Sequence, residues 1–283
     1  FPTRRSSDLA IANARWWSST QLIQMKYLVF LFLLIGLSPL MGQAQFEKNL
    51  QTQFILAADG DVIDLPAGNF QLAGSLSLEG KKKITIRGKG MDKTVLSFKD
   101  QKTGAEGIKI TNCENIILED LTVQDSKGDL IKTMHVKDLI FRRIKAEWTG
   151  GPKPQNGSYA LYPVLCTNIL IDSCVAIGAS DAGIYVGQSQ HIEVKNCTAF
   201  QNVAGIEIEN SLYADVHHNH AYGNTGGILV FDLPDLIQKK GGFVLVHDNL
   251  IEANNLSNFA PKGNIVGKVP KGTGMLILAT SHV

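Results

Sequence analysis

The chain has few cysteines, few aromatic residues and no excess of charge of one sign. Its 283 residues include 4 Cys and 3 Trp, and the formal net charge is +1. No block of Lys and Arg is present, so the sequence lacks the electrostatic footprint of a nucleic-acid-binding protein. The apolar stretch at 27–40 is shorter than the roughly 18 residues that a membrane span needs. We therefore expect a globular protein whose partners include neither nucleic acid nor, after maturation, a membrane.

Two segments are interpreted as preceding the folded domain. Residues 1–24 contain no Met and are interpreted as a sequencing artefact or untranslated sequence. Residues 25–44 contain a Met, a lysine, the apolar run and small residues at the end, which is the pattern of a secretory signal peptide. We predict cleavage after Ala44 and a secreted or periplasmic location. The domain would span 45–283, and we expect truncation at its C-terminus because "GMLILATSHV" stops inside an apolar strand pattern.

A unit of about 22–23 residues repeats through the chain. An apolar residue opens each unit, a second strand pattern begins eight residues later, and a third short strand follows. The openers are Ile108, Ile131, Leu161, Ile184, Ile206 and Ile228. A helical solenoid would need apolar spacings of three and four, whereas the spacing here is two. The sequence thus predicts an all-β fold, a parallel β-helix with three strands in each coil.

Aligned positions predict ladders inside the coil and a cap at its N-terminal end. One inward column places Cys174 next to Cys197 and Asn219 next to Asn249, about 4.8 Å apart. In-register neighbours fit disulfide geometry poorly, so we expect free thiols. Helical spacing of apolar residues in 46–60 predicts a short amphipathic helix that covers the first coil. Its apolar face would comprise Phe46, Leu50, Phe54 and Ile55.

The stretches "AADGDVIDLPAG", "ITIRGKG" and "LEDLTVQD" and the "AGI" openers resemble those of secreted bacterial right-handed parallel β-helix repeat proteins. This group belongs to the pectin-lyase-like superfamily, and the resemblance covers about residues 46–283. It implies a right-handed coil and a subgroup of unassigned activity. Better-known relatives are polysaccharide lyases, galacturonan hydrolases and uronan C5-epimerases. The chain lacks the hydrolase-like NTD, DD and GHG series and the epimerase-like DPH, so the resemblance does not extend to one named activity.

Two outward columns on the opener strands bring chemically useful side chains together. The residue after each opener contributes to a row that includes Lys132, Tyr162, Tyr185 and Glu207, with Glu209 beside Glu207. Longer turns flank this strand face and would form the walls of a groove. These turns comprise residues 149–158, 232–242 and 258–272.

We expect this groove to bind a polysaccharide or another glycan. The leading hypothesis is β-elimination or C5-epimerisation of an acidic polysaccharide, with Tyr162 or Tyr185 as base or acid. Lys132 would lower the tyrosine pKa and neutralise the substrate carboxylate. Hydrolysis is a second possibility, with Glu207 and Glu209 as paired carboxylates. The alternative class is a non-catalytic glycan-binding or cell-envelope scaffold protein.

Further residues are predicted to contact the substrate or a metal ion. The predicted substrate contacts are Trp148, Glu209, Phe231 and Asp232. For Trp148, an anchor of the long turn that follows it is an equal alternative. Asp181, Glu209 and Asp232, with Glu207 nearby, supply the hard oxygen ligands that Ca²⁺ prefers, so calcium is the one cofactor considered. The histidines of "VHHNH" at 216–220 fall in a turn and on different faces, so they are interpreted as solvated and not as zinc ligands. We expect a monomer.

Overall fold

The computed structural model describes residues 42–283. The segment interpreted as an artefact, 1–24, and most of the predicted signal peptide, 25–41, lie outside the described residues. A helix occupies 42–56, and the remainder consists of short strands and turns. Within 42–283, no helix combines the length and the apolar character needed to cross a lipid bilayer.

The described residues contain 22 strands and one 3-10 helix, η1, at Ile265–Lys268. In chain order, the strands are β1 Val62–Asp64, β2 Gly68–Gln71, β3 Gly74–Glu79, β4 Lys82–Arg87, β5 Thr94–Ser97, β6 Thr103–Thr111, β7 Glu114–Gln124, β8 Ile131–Met134, β9 Lys137–Glu147, β10 Tyr159–Val164, β11 Thr167–Asp172, β12 Val175–Ile177, β13 Ala182–Gly187, β14 Gln190–Lys195, β15 Thr198–Phe200, β16 Ala204–Glu209, β17 Leu212–His217, β18 His220–Tyr222, β19 Gly226–Phe231, β20 Gly242–His247, β21 Leu250–Glu252 and β22 Thr273–Leu278.

These strands form two sheets that wind around one core. The first sheet has 8 strands in the order β22-β19-β16-β13-β10-β8-β6-β3, and the second sheet has 14 strands. Each regular coil gives one strand to the first sheet and two to the second, as β13, β14 and β15 do. Neighbouring coils pair in parallel. The predicted parallel β-helix with three strands in each coil is therefore confirmed.

The openers stack in the predicted register along the first sheet. Ile131 pairs with Ile108 on one side and Leu161 on the other, and Ile184 pairs with Ile206. The longer turn at 149–158 does not disturb this stacking, because its extra residues lie between β9 and β10. Since a one-residue slip would turn every apolar side chain outward, the buried column holds the register.

The predicted ladders are present inside the coil. Cys174 and Cys197 are buried free thiols, and the Cys174 backbone N–H lies 3.4 Å from Cys197 Sγ. Asn219 Nδ2 donates to Asn249 Oδ1 at 3.0 Å. Burial of these amides is tolerated because each polar group finds a partner in the next coil.

A second asparagine ladder, which the sequence analysis missed, holds the turn before the opener strands. Asn202 Nδ2 donates to Asn224 Oδ1 at 3.1 Å, and Asn224 Nδ2 donates to Asn254 Oδ1 at 3.0 Å. This ladder explains the glycine that precedes each of two openers. A Cβ on Gly183 would lie 2.7 Å from Asn202 Nδ2, and one on Gly205 would lie 2.9 Å from Asn224 Nδ2. The glycines therefore make room for the ladder.

The N-terminal helix covers the first coil as predicted, with one error. Leu50 and Phe54 are buried in the core, and the Phe46 ring stacks on Phe70 with centroids 3.8 Å apart. Ile55 is wrong as a member of the apolar face, because its side chain is 61% exposed. One residue along a helix turns the side chain by about 100°, so Ile55 points away from the coil that buries Phe54.

Candidate functional site

The outer face of the first sheet changes from charged to aromatic, then acidic, then apolar along the solenoid. Lys132 pairs with Tyr162 across β8 and β10, and Tyr185 pairs with Glu207 across β13 and β16. Glu207 in turn pairs with Leu229. The predicted row is therefore continuous, and Glu207 and Glu209 do lie together near its apolar end.

Lys132 is not free to neutralise a substrate carboxylate. Its Nζ lies 4.0 Å from a carboxylate oxygen of Glu106 and 4.0 Å from one of Asp129. The same ammonium group lies 4.8 Å from the centre of the Tyr162 ring. Neither carboxylate was predicted from the sequence. Glu106 in β6 and Asp129 in the turn before β8 each stand two residues before an opener, so they fall outside the two outward columns.

Three tyrosine rings form a cluster next to Lys132. The Tyr159 ring centroid lies 4.4 Å from those of both Tyr162 and Tyr185. Burial raises the pKa of Tyr162 to about 12, and burial also raises the pKa of Tyr185. The prediction that Lys132 lowers a tyrosine pKa is therefore wrong. Desolvation disfavours the phenolate, nearby carboxylates add to that effect, and Lys132 already has two carboxylate neighbours.

Beyond the tyrosines, three buried carboxyl groups lie together. Asp181 is 8% exposed, Glu207 2% and Glu209 7%. Burial, and then the neighbouring charges of Asp181 and Glu209, raise the pKa of Glu207 well above its ordinary value. Burial raises the pKa of Asp181 to about 7, with a further contribution from Glu209. Burial also raises the pKa of Glu209, while an interaction with the Tyr185 hydroxyl opposes that increase.

Glu207 and Glu209 face outward from the sheet and are nevertheless buried, because the turn at 258–272 covers them. An apolar cluster outside the coil joins Leu229 and Phe231 of β19 to Val266 and Val269 in the turn at 258–272. Tyr185 belongs to the same cluster. The turn thus packs over the first sheet and removes the acidic side chains from water.

A cavity of about 340 Å³ opens between the sheet and this turn. Its lining residues are Ser158, Tyr159, Asp181, Glu207, Glu209, Phe231, Leu233, Gly263, Asn264, Ile265 and Val266. The volume is at the lower end of the about 300–1,000 Å³ that ligand pockets occupy. The mixture of aromatic walls and a few convergent polar groups is typical of a small-ligand site.

Within 42–283, Glu207 Oε2 is buried without a hydrogen-bond partner. Nearly all buried polar atoms in native proteins have such a partner, so this atom requires an explanation. Because the Glu207 side chain lines the cavity, the missing partner would come from a group that enters it.

One further residue of the face, Tyr159, was not predicted from the sequence. Tyr159 begins β10 and lines the cavity, and Asp129 lies beside Lys132. Burial raises the pKa of Asp129 to about 6, against the opposing charge of Lys132. Both residues stand two positions before an opener, Leu161 or Ile131. A third aligned column at that position would have found them.

Trp148 is not placed as a free platform for a sugar. It is buried against the core, 5% exposed, and its Nε1–H donates to the backbone oxygen of Ser126 at 2.9 Å. The ring anchors the start of the turn at 149–158, and its contact with substrate stays a prediction. Its indole N–H is satisfied within the protein, as is usual for buried Trp.

The predicted calcium ligands do not form a common site. In residues 42–283, no group of three or more His, Cys, Asp or Glu side chains is placed to hold a metal ion. Asp181 and Glu209 line the cavity, whereas Asp232 Oδ2 accepts a hydrogen bond from the Gly241 N–H at 2.9 Å. Asp232 Oδ2 thus closes its own turn, whereas Asp232 Oδ1, among the described residues, is buried without a hydrogen-bond partner, as Glu207 Oε2 is. Asp232 is not among the residues that line the cavity, and its contact with substrate stays a prediction.

The histidines of 216–220 interact with neighbouring carboxylates on the second sheet. His217 Nε2 lies 3.2 Å from Glu193 Oε1, and His220 Nε2 lies 2.9 Å from Glu252 Oε1. His217 Nδ1 and His218 Nδ1 are 2.7 Å apart. None of these residues lines the cavity of the acidic cluster.

A family model described as the right-handed beta helix region matches residues 75–237 and 153–281. The chain therefore belongs to the right-handed β-helix family.

Sequence relatives include a pre-neck appendage protein of Bacillus phage B103, 27% identical over 210 residues, which are 61% of this chain and 24% of that protein. The preneck appendage protein of Bacillus phage PZA is 24% identical over 218 residues, or 65% of this chain and 24% of that protein. This chain thus spans about a quarter of the length of these relatives.

Similar solved structures include the A-module of a mannuronan C-5 epimerase from Azotobacter vinelandii. The similarity has a TM-score of 0.43 and 13% identity, and it covers 85% of this chain and 91% of that one. An alginate lyase from Paenibacillus gives a TM-score of 0.33 and 12% identity over 83% of this chain and 96% of that one. These scores are too low to bear on the chemistry of the cavity.

Proposed function

We propose that the chain is a carbohydrate-active β-helix protein that cleaves a glycosidic bond by acid–base chemistry of its buried carboxyl groups. The observation that carries this proposal is Glu207, which lines the cavity, is almost fully buried and has an unpaired carboxyl oxygen. An unsatisfied buried polar atom costs about 1–3 kcal/mol. A ligand hydroxyl would supply the missing partner, because it can donate to an ionised carboxyl group and accept from a protonated one.

Glycoside hydrolysis commonly needs one protonated and one ionised carboxyl group on opposite sides of the scissile bond. The raised pKa of Glu207, caused first by burial, suits it as the general acid. Burial raises the pKa of Glu209 as well, but the Tyr185 hydroxyl opposes that increase, so Glu209 is better suited than Glu207 to the ionised role. Asp181 lies close enough to both to influence how the proton is shared.

The walls of the cavity suit a sugar. Tyr159 and Phe231 supply aromatic surface, and Ser158 and Asn264 add polar side chains. A pyranose ring has apolar faces and a polar rim, so this combination would hold the ring while the carboxyl groups reach its oxygens.

A second candidate is β-elimination or C5-epimerisation of an acidic polysaccharide. The observation that favours it is the proximity of tyrosine hydroxyls to carboxyl groups, Tyr159 to Asp181 and Tyr185 to Glu209. Because burial raises the tyrosine pKa values, a carboxylate would be the base and a tyrosine the acid. Lys132 would take no part in this version.

Proton NMR in heavy water separates these reactions. The chain is incubated with a panel of neutral polysaccharides and uronate polymers. New reducing-end signals indicate hydrolysis, an olefinic signal indicates elimination, and loss of the C5 proton signal without cleavage indicates epimerisation. We expect hydrolysis, with a rate at least about 100-fold lower in Glu207→Gln, since positioned acids contribute at least that much.

Glu193→Gln on the second sheet is the matched control, because it removes one carboxylate from an outward strand position far from the cavity lining. It should retain the wild-type rate. If every polymer stays unchanged, the acid–base proposal is wrong and the non-catalytic glycan-binding or scaffold alternative is favoured. An olefinic product or C5 exchange would instead favour the second candidate.

A further inference from the structure

We infer that the sugar unit that occupies the cavity carries no carboxylate, so that the site selects a neutral or amino sugar over a uronate. The inference rests on the proposed function, because it concerns the ligand of the same cavity. It follows from which side chains line the cavity, how deeply they are buried and where the nearest cations are held.

The lining is acidic and carries no counter-charge. Among the described residues that line the cavity, three are Asp or Glu and none is Lys or Arg. An ionised carboxylate offers only acceptor lone pairs, and a uronate carboxylate offers the same. A uronate would therefore place a carboxylate that has no hydrogen-bond donor against ionised lining carboxylates that also have none. Sugar hydroxyls can both donate and accept, so they can pair with Glu207 Oε2 whether that carboxyl group is ionised or protonated, and an ammonium group can donate to it when it is ionised.

The nearest cation on the sheet is already compensated. Lys132 lies between Glu106 and Asp129, at 4.0 Å from each, and it contacts the Tyr162 ring. The tyrosine cluster separates this ammonium group from the acidic residues, since Tyr162 contacts Tyr185 and Tyr185 pairs with Glu207. A uronate in the cavity would find no free positive charge there.

Lysines also flank the lining segment of the covering turn. Lys262 and Lys268 are exposed, on either side of the residues 263–266 that line the cavity. Their side chains do not belong to the lining. Exposed ammonium groups are well solvated and screened, so they compensate little of the repulsion inside a covered site.

Burial of the lining carboxyl groups increases the difference in affinity between a neutral sugar and a uronate. Like charges that share a covered site repel each other more strongly than in water, because the effective dielectric constant is lower. A protonated carboxyl group, however, could share its proton with a uronate. The preference against uronates should therefore grow as the pH rises and Asp181, Glu207 and Glu209 ionise. The same cluster would gain favourable contacts with a cationic amino sugar under those conditions.

The test compares each uronate oligosaccharide with its carboxyl-reduced counterpart. The two ligands share length, linkage and hydroxyl groups, and they differ only in charge and in one functional group. Galacturonan, mannuronan and guluronan oligosaccharides supply three such pairs. Binding to the whole chain is measured by isothermal titration calorimetry at several pH values between mildly acidic and mildly alkaline. Glu207→Gln protein is used in parallel to suppress turnover.

We expect the reduced form to bind at least about tenfold more tightly than the uronate in a pair that binds, with a ratio that increases with pH. In Glu209→Gln the ratio should fall severalfold, whereas Glu193→Gln should leave it unchanged. A uronate that binds as tightly as its reduced form overturns the inference, and so does the absence of binding in all three pairs. The proposed hydrolysis fails separately, when the reduced forms bind wild-type protein but no product forms.

Discussion

Replacing Asp181 by Asn should make the folded protein more stable, and the gain should depend on pH. Asp181 is buried beside Glu207 and Glu209, and its folded-state pKa is about 7 against an ordinary value of 3.8. A raised carboxyl pKa means that the folded state prefers the protonated form. In the wild type, the free energy of unfolding is therefore highest below the pKa that Asp181 has in the unfolded state, and it falls as the pH rises towards the pKa of Asp181 in the folded state.

The size of this effect follows from the pKa difference. At about 1.4 kcal/mol for each pKa unit, Asp181 costs the folded wild type roughly 4 kcal/mol between about pH 4 and pH 7. Asn cannot ionise, so the variant avoids this loss. The free energy of unfolding of Asp181→Asn, minus that of the wild type, should increase by about this amount across the window. Replacing Asp181 by Asn also removes its charge repulsion with Glu207, which further increases the stability of the variant relative to the wild type.

Urea denaturation at a series of pH values measures this difference. The informative control is Asp120→Asn, because a bidentate ion pair with Arg143, with both contacts at 2.6 Å, lowers the pKa of Asp120. That variant should lose stability relative to the wild type as the pH rises from acid to neutral. If the difference in free energy of unfolding between Asp181→Asn and the wild type stays constant or falls between about pH 4 and pH 7, Asp181 does not destabilise the folded state by ionising, and the reasoning is wrong.

Three further changes probe the site, the inner ladder and the cap. Tyr185→Phe removes the hydroxyl that stabilises ionised Glu209, so the acidic limb of the pH–rate profile should move to higher pH. Asn224→Ala leaves the buried Asn202 N–H without its partner and removes a donor to the buried Asn254 Oδ1, so it should lower the free energy of unfolding by about 2–4 kcal/mol. Urea denaturation measures this loss, and a loss below about 1 kcal/mol would contradict the ladder. Phe54→Ala should lower the free energy of unfolding by about 3–5 kcal/mol because Phe54 is buried, whereas Ile55→Ala should change it by less than about 0.5 kcal/mol because Ile55 is exposed. Equal effects would refute the assigned helix face.

The repeat alone was enough to predict the coil and its stacking. In a parallel β-helix, equivalent residues of successive coils lie about one strand spacing apart, so a column in the alignment is a column in space. The stacks of Ile131 on Ile108 and of Asn219 on Asn249 follow from this rule. The same rule correctly predicts that Tyr185 lies next to Glu207.

The environment of each outward side chain was decided by the tertiary structure. The turn at 258–272 buries Glu207 and Glu209, although both point out of the sheet. Lys132 meets Glu106 of β6 and Asp129 of the turn before β8, and neither residue lies in the two outward columns that the repeat defines. The path of an irregular turn has no period, and a pKa depends on burial and on neighbours from several coils. The sequence by itself therefore determined which residues stack, and only the folded chain decided which of them lie in water and which form the cavity.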